Sequence, residues 1–155
     1  MALIECYECE KEISDQAAAC PHCGAPKEEQ PPQVSELLKV ADQGDASAQS
    51  ALGYMYREGL GVPEDHAEAV RLYRLAAEQG HAYSQSALGM MYAEGDGVPE
   101  DIVLAYMFYN LAEAQGQENA QVNKGVIEQR MTRAQIAEAQ RLSTEWLEAH
   151  PPGGN

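Results

Sequence analysis

The stretch "LGYMYREGLGVPEDHAEAVRLYRLAAEQG" (Leu52–Gly80) decides the fold, because it returns later in the chain. The segment "LGMMYAEGDGVPEDIVLAYMFYNLAEAQG" (Leu88–Gly116) matches it at an offset of 36 residues, with 17 of 29 aligned pairs identical. A fixed period of this length is the signature of a repeat architecture. Partial copies, "KVADQGDASAQ" before and "QGQENAQ" after, extend the pattern beyond the two full units.

The first half of each unit predicts a helix. Asp45 is placed to cap it, and Gly59 is placed to end it in the left-handed conformation. Its apolar residues recur at helical spacing and predict a buried face of Ala48, Leu52 and Tyr56. Gly53 and Gly89 fall inside the predicted helices, where glycine costs about 1 kcal/mol against alanine. This predicts that another helix approaches closely at both positions.

The second half of each unit predicts another helix after a tight glycine–proline loop. Asp65 and Glu68 have the spacing of a capping box, and Ala69, Tyr73 and Ala76 form the predicted buried stripe.

The repeated pattern A-x-x-G-D-A-x-A-Q-x-x-L-G-x-M-Y-x-x-G-x-G-V-P-x-D, followed by A-x-x-x-Y-x-x-A-A-x-Q-G, resembles the Sel1-like repeat, a relative of the tetratricopeptide repeat. The resemblance covers about residues 34–121. It implies an all-α fold, a short α/α solenoid of helix pairs, with a concave groove lined by the first helix of each pair. It also implies an adaptor that brings other proteins together.

Both ends of a short solenoid must be capped. Val34–Gln43 is expected to be an orphan second helix packed on the first full unit, and Glu118–Gln129 a degenerate first helix. Thr132 and Gln135 predict a capping box for a last helix, "RAQIAEAQRLSTEWLEA". The predicted apolar face of that helix carries Ile136, Ala139, Leu142, Ser143 and Trp146.

All four cysteines lie near the N-terminus as two Cys-x-x-Cys pairs, Cys6 with Cys9 and Cys20 with Cys23, ten residues apart. Four thiolates on two such turns fit a tetrahedral structural Zn²⁺ site. So small a module cannot bury enough apolar surface alone, so the metal would supply its folding free energy. Gly24 suits the positive φ that the second turn needs.

The cysteine stretch is also similar to minimal zinc ribbons, which carry C-P-x-C-G twice. "CPHCG" matches in full, whereas Tyr7 and Glu10 replace the proline and glycine of the first copy. A redox pair or a catalytic zinc are the alternatives, and the spacing and the all-cysteine ligand set argue against them. His22 is expected to be a surface residue. Whether the ribbon binds a partner of its own stays open.

Composition limits the partners. The formal net charge is −15, and the first 27 residues carry five acids and two lysines. This charge argues against nucleic acid and anionic membranes as partners, and leaves a basic protein or peptide. We expect a cytoplasmic protein, because neither a signal peptide nor a membrane span is apparent in the sequence.

These observations predict four segments. They are a zinc ribbon (1–25), a flexible linker (26–33), a solenoid (34–150) and a disordered tail (151–155). Within the solenoid, the full repeats are predicted at about 45–80 and 81–116, and the degenerate third unit and the capping helix at 117–149.

We expect the protein not to be an enzyme, since the sequence lacks the common catalytic motifs. His66, His81 and His150 are far apart in the sequence and are predicted to be surface or capping residues. A hydrolase site hidden in the groove is the alternative, and a cluster of titratable groups there would favour it.

The predicted partner-binding residues are the first-helix positions that turn away from neighbouring helices. The alternative is that they are ordinary packing or surface residues. In the two full units they are Ser47, Ser50, Tyr54 and Arg57, then Tyr83, Ser86, Met90 and Ala93, and in the degenerate unit Asn119, Val122 and Val126.

Overall fold

The computed structural model describes residues 3–5, 12–14 and 32–152. Residues 32–152 form helices joined by short turns, which confirms the all-α prediction for this part of the chain. In chain order the helices are α1 (Pro32–Asp42), α2 (Ala46–Glu58), α3 (His66–Glu78), α4 (Ala82–Glu94), α5 (Ile102–Glu113), α6 (Glu118–Glu128) and α7 (Arg133–Ala149).

Near the N-terminus, two short strands pair antiparallel. Strand β1 (Leu3–Glu5) lies beside β2 (Glu12–Ser14), with Glu5 opposite Glu12. The four predicted zinc ligands, Gly24 and most of the predicted linker lie outside the described residues.

The helices stack in sequence order, as a solenoid requires. Helix α2 packs against α3, and α4 against α5, and these pairs are joined by contacts of α3 with α4 and of α5 with α6. Helix α1 packs against α2, where Val34 is 1% exposed and Ala41 7% exposed. The predicted orphan second helix is therefore confirmed, although it begins at Pro32, inside the segment predicted as linker.

The helix ends form where the sequence predicted them. The Asp45 carboxylate accepts a hydrogen bond from the Ala48 N–H at 2.7 Å, and Asp65 accepts one from the Glu68 N–H at 2.9 Å. The capping box predicted for Asp65 and Glu68 is only half formed, because the Asp65 N–H donates to the Tyr56 carbonyl at 2.8 Å instead. Gly59 ends α2 with a φ of 64°. Both bonds of the Thr132 capping box at α7 are present, the partner side chain being Gln135.

Two glycines allow each helix pair to pack closely. A Cβ at Gly53 would lie 2.9 Å from the Tyr73 ring, and one at Gly89 would lie 2.7 Å from the Tyr109 ring. Contacts this short are not tolerated, so a side chain at either position would push the second helix away. The prediction of close approach at both glycines is confirmed.

The third unit departs from the pattern at its centre. Lys124 stands 36 residues after the buried Leu88, and its amine bonds Glu113 and, at 3.3 Å, Asn110. The following helix, α7, packs against α5, where the Trp146 and Phe108 rings lie 5.2 Å apart edge to face. The chain therefore closes its core with α7 on α5.

Candidate functional site: the first-helix surface

The 36-residue period places equivalent residues on three successive first helices. Tyr54, Met90 and Val126 occupy one such position on α2, α4 and α6, and Ser50, Ser86 and Val122 occupy another. Several large apolar side chains at the predicted groove positions are exposed, to 42% for Tyr54, 45% for Tyr83, 66% for Val122 and 58% for Val126. We call the surface formed by Tyr54, Tyr83, Met90, Val122 and Val126 the first-helix surface.

The other predicted binding residues differ in exposure. Ser47 and Asn119 are exposed, and the remaining half-buried positions are Arg57, Ser86, Met90 and Ala93. Met90 also packs against the hydrophobic core. The binding role of these residues stays a prediction.

Ser50 was expected to face the open groove, but it is only 4% exposed. It lies one helical turn before Gly53, on the side of α2 that the Tyr73 ring covers. The Ser50 side chain therefore belongs to the helix contact and offers little surface to a partner.

Tyr83 connects this surface to the core. Its ring lies 6.3 Å from the Tyr73 ring in an edge-to-face arrangement. Burial raises the pKa of the Tyr73 phenol, and the neighbouring Tyr83 raises this pKa further. In the next unit, burial and then the charge of Glu94 raise the pKa of Tyr109 to about 12. Both buried phenols are therefore neutral at physiological pH.

The charges around the surface are acidic or paired. The Arg57 guanidinium lies 3.3 Å from the Glu58 carboxylate and 4.0 Å from that of Asp96. These two acids offset its positive charge.

A cluster of titratable groups joins the loops of the two full units. The His66 Nδ1 pairs with the Asp96 carboxylate, and its Nε2 lies 2.9 Å from Glu64. The hydrogen bond with Asp96 is the main cause of a raised pKa at His66. Because carboxylates occupy both ring nitrogens, His66 is engaged as a bridge between repeats and has no nitrogen free to act as a general base.

The other two histidines are at helix ends, as predicted. His81 is the N-cap of α4, where its Nδ1 accepts a hydrogen bond from the Ser84 N–H at 3.3 Å. Burial lowers the pKa of His81. His150 is the C-cap of α7, with its ring 4.4 Å from that of Trp146.

Two buried glutamines, Gln49 and Gln85, were not predicted from the sequence. Gln49 donates to the Ala41 carbonyl at 3.2 Å and accepts from Gln79 at 2.8 Å. One repeat later, Gln85 makes the same two bonds, to the Ala77 carbonyl at 3.3 Å and from Gln115 at 2.6 Å. The sequence does contain a signal for them, because a glutamine after a small residue on the first helix (Ala48-Gln49, Ser84-Gln85) and the Gln-Gly turn both recur with the repeat.

In the part of the chain that the structure describes, no group of three or more His, Cys, Asp or Glu side chains could hold a metal ion. None of the described helices has the length and apolar character needed to cross a bilayer.

The comparisons with known proteins agree with this architecture. Residues 46–81 and 82–117 each match the Sel1 repeat. Among curated proteins, none matches the chain.

Two solved structures are similar to the helical part. The first is a protective antigen present in uropathogenic Escherichia coli strains, displaying an SLR fold, with 32% identity and a TM-score of 0.72 over 76% of this chain and 25% of the antigen. The second is a Sel1 repeat protein from Oxalobacter formigenes, with 44% identity and a TM-score of 0.53 over 54% of this chain and 63% of that protein. This chain thus spans about a quarter of the first and less than two thirds of the second. Its helical part carries two Sel1 repeats and has the solenoid fold of Sel1-repeat structures.

Proposed function

We propose that this protein is an interaction adaptor that binds a partner protein or peptide on the first-helix surface. One observation carries the proposal: exposed apolar side chains stand at repeat-equivalent positions on α2 and α6, with the half-buried Met90 of α4 between them. Single exposed apolar residues are common on protein surfaces. A row that follows the repeat instead offers a continuous contact for an extended or helical segment.

The side-chain types fit such a role. Tyrosine and methionine are enriched at the centres of protein interfaces, and methionine adapts to partners of different shape. Tyr83 is held by its contact with the buried Tyr73, so it presents a preorganised ring at low entropic cost.

The acidic character of the chain favours a partner with basic residues. The chain carries a net −15, and Arg57 is paired with acids. A partner with apolar side chains flanked by Lys or Arg would therefore associate faster and more selectively than an acidic one. Nucleic acid and membrane surfaces are not proposed as partners. We propose no catalytic role, because the titratable cluster at His66 uses both ring nitrogens to bridge the repeats.

At the N-terminus we propose a structural zinc ribbon held by Cys6, Cys9, Cys20 and Cys23. The paired strands support it, because Glu5 lies opposite Glu12 in the backbone register and the sequence between the two strands contains the first two cysteines. Bound Zn²⁺ would supply folding free energy to this module, and no reaction is assigned to it. We propose a cytoplasmic location, in which thiols stay reduced and available to zinc.

Affinity capture from an extract of the source cells tests the adaptor function. The full chain serves as bait beside a Tyr54→Asp/Val126→Asp variant, which changes two exposed residues and leaves the half-buried Met90 intact. Leu147→Asp is the matched control, because Leu147 is 48% exposed and lies on α7, which is not one of the first helices. We expect a protein that the wild type and the control retain and the double variant loses. Equal retention by all three baits would refute the assignment of this surface.

A further inference from the structure

Within the residues that the structure describes, the N-terminal end of the solenoid presents a second helix without its first helix. Counting back one repeat, Leu37 of α1 stands in the register of Tyr73 and Tyr109, the rings that pack on the first-helix glycines. Leu37 and Val40 are only partly buried. They line an open, mostly apolar cavity of about 630 Å³ together with Ala48. In the full units, the corresponding face of the second helix is covered by the first helix of the same unit.

The C-terminal end presents the reverse, a first helix without its second helix. Gly125 of α6 stands in the register of Gly53 and Gly89, and a Cβ built on it would meet nothing within 4 Å. Val122 and Val126 beside it are more than half exposed. Helix α7, which follows, packs against α5. The face of α6 that would receive a second helix is therefore bare.

We propose that these two ends bind each other between copies of the chain, with α1 of one copy packing on α6 of the next and Leu37 lying over Gly125. The full units supply the template, because the same contact occurs twice within one chain as Tyr73 on Gly53 and Tyr109 on Gly89. The contact joins two different surfaces, so it is heterologous and continues the solenoid from copy to copy. Val122 and Val126 also belong to the first-helix surface, so the next copy and a partner bound on α6 would compete for these two residues, whereas Tyr54 and Tyr83 lie outside the contact between copies.

We assign this face of α6 to a second copy of the chain, because α6 lacks a second helix and α1 is a second helix that lacks a first. It is a formed helix with the apolar Leu37 in the register of the inserted ring and Val40 one turn further on, while Gln33 and Glu36 form the polar edge of the same face. The chain's net charge of −15 opposes association of like copies. Added salt screens that repulsion, so the complex should strengthen with ionic strength, unlike one driven by opposite charges.

Sedimentation equilibrium of the full chain tests the proposal. The weight-average mass should rise above the 16.9 kDa of one chain as its concentration increases, in the range of about 10 μM to 1 mM expected for a small interface. Gly125→Leu fills the open space beside Gly125 on α6, and Leu37→Asp places a charge on the face of α1 that is proposed to pack there. Each variant alone should remain a monomer.

Mixing the two variants is the decisive experiment. The Gly125→Leu chain keeps an intact α1 and the Leu37→Asp chain keeps an intact α6, so an equimolar mixture should form a capped dimer of twice the single-chain mass. Thermal unfolding followed by circular dichroism checks that both variants fold, and Val40→Glu replaces Leu37→Asp should the latter lose helix. A wild type that stays monomeric at every concentration would overturn the proposal. So would association of the wild type without complementation in the mixture, since that requires a different interface.

Discussion

The ring of Tyr109 packs directly on Gly89, so that a Cβ at residue 89 would lie 2.7 Å from the ring. Gly125 occupies the same repeat position in α6 with nothing near it. We therefore expect Gly89→Ala to destabilise the chain by about 1–2 kcal/mol, since overpacking outweighs the gain in helix propensity. Gly125→Ala should stabilise it by about 0.5–1 kcal/mol, because only the propensity changes. Urea unfolding of both variants measures this, and effects of the same sign would contradict it.

His81, the N-cap of α4, should make the folded chain less stable as the pH falls. Burial lowers the pKa of His81 in the folded chain, so the unfolded chain binds the proton more readily. The contribution of His81 is complete above its ordinary pKa and is lost as the pH falls from that value through the lowered pKa of the folded chain. His81→Asp places at this position the residue type that caps α2. It should stabilise the chain by about 0.5–1 kcal/mol, with a larger gain near pH 5 than near pH 8. A gain independent of pH would show that His81 does not titrate as its burial predicts.

The bridge between His66 and Asp96 should instead make the folded chain less stable as the pH rises. Asp96 raises the pKa of His66, so the bridge stabilises the folded chain below the ordinary histidine pKa and weakens as the pH rises through the raised value. Asp96→Asn keeps the shape of the side chain and removes the charge. We expect the unfolding free energy of this variant to vary less than that of the wild type as the pH rises above the ordinary histidine pKa. His81, Glu64 and Arg57 are unchanged in it, so parallel pH profiles would refute a charged bridge.

The proposed zinc ribbon predicts a fixed metal content. Purified full-length chain should contain one Zn²⁺, and the Cys20→Ser/Cys23→Ser variant should contain none, because half of the ligand set is gone. The thermal transition of the helical part should be the same in both, since the solenoid has its own hydrophobic core. Elemental analysis together with circular dichroism makes the measurement. Zinc retained by the double variant would show that these cysteines are not the ligands.

Local sequence patterns were sufficient to predict the elements of this fold. Capping residues, glycines and apolar periodicity act over one or two helical turns. The sequence therefore predicted both ends of α7 correctly, and it predicted that another helix approaches closely at Gly53. The repeat then orders the helices, because each unit can bury its apolar face only against its neighbours.

Contacts across many residues were not predictable in this way. The burial of Ser50 follows from the side of α2 that Tyr73 covers, and the pairing of His66 with Asp96 joins loops 30 residues apart. The packing of α7 on α5 is a further case, since its apolar face fits either neighbour by periodicity alone. Which neighbour a helix packs against depends on the tertiary structure, and the local pattern of a single sequence does not specify it.

The buried glutamines give the sharpest test of how the repeats are joined. Gln85 bonds the Ala77 carbonyl and the Gln115 amide inside the structure and is 2% exposed. Gln85→Ala removes both hydrogen bonds, and since one such bond contributes about 0.5–1.5 kcal/mol, we expect a loss of about 1–3 kcal/mol. The Ala77 carbonyl keeps its bond from the Gly80 N–H and Gln115 is exposed to water, so neither partner adds a penalty for being buried and unpaired. The control is Gln121→Ala, since Gln121 holds the same repeat position in α6 but is exposed. It should change the unfolding free energy by less than about 0.5 kcal/mol. Comparable losses in the two variants would mean that the hydrogen bonds of Gln85 contribute no more to stability than an exposed glutamine does.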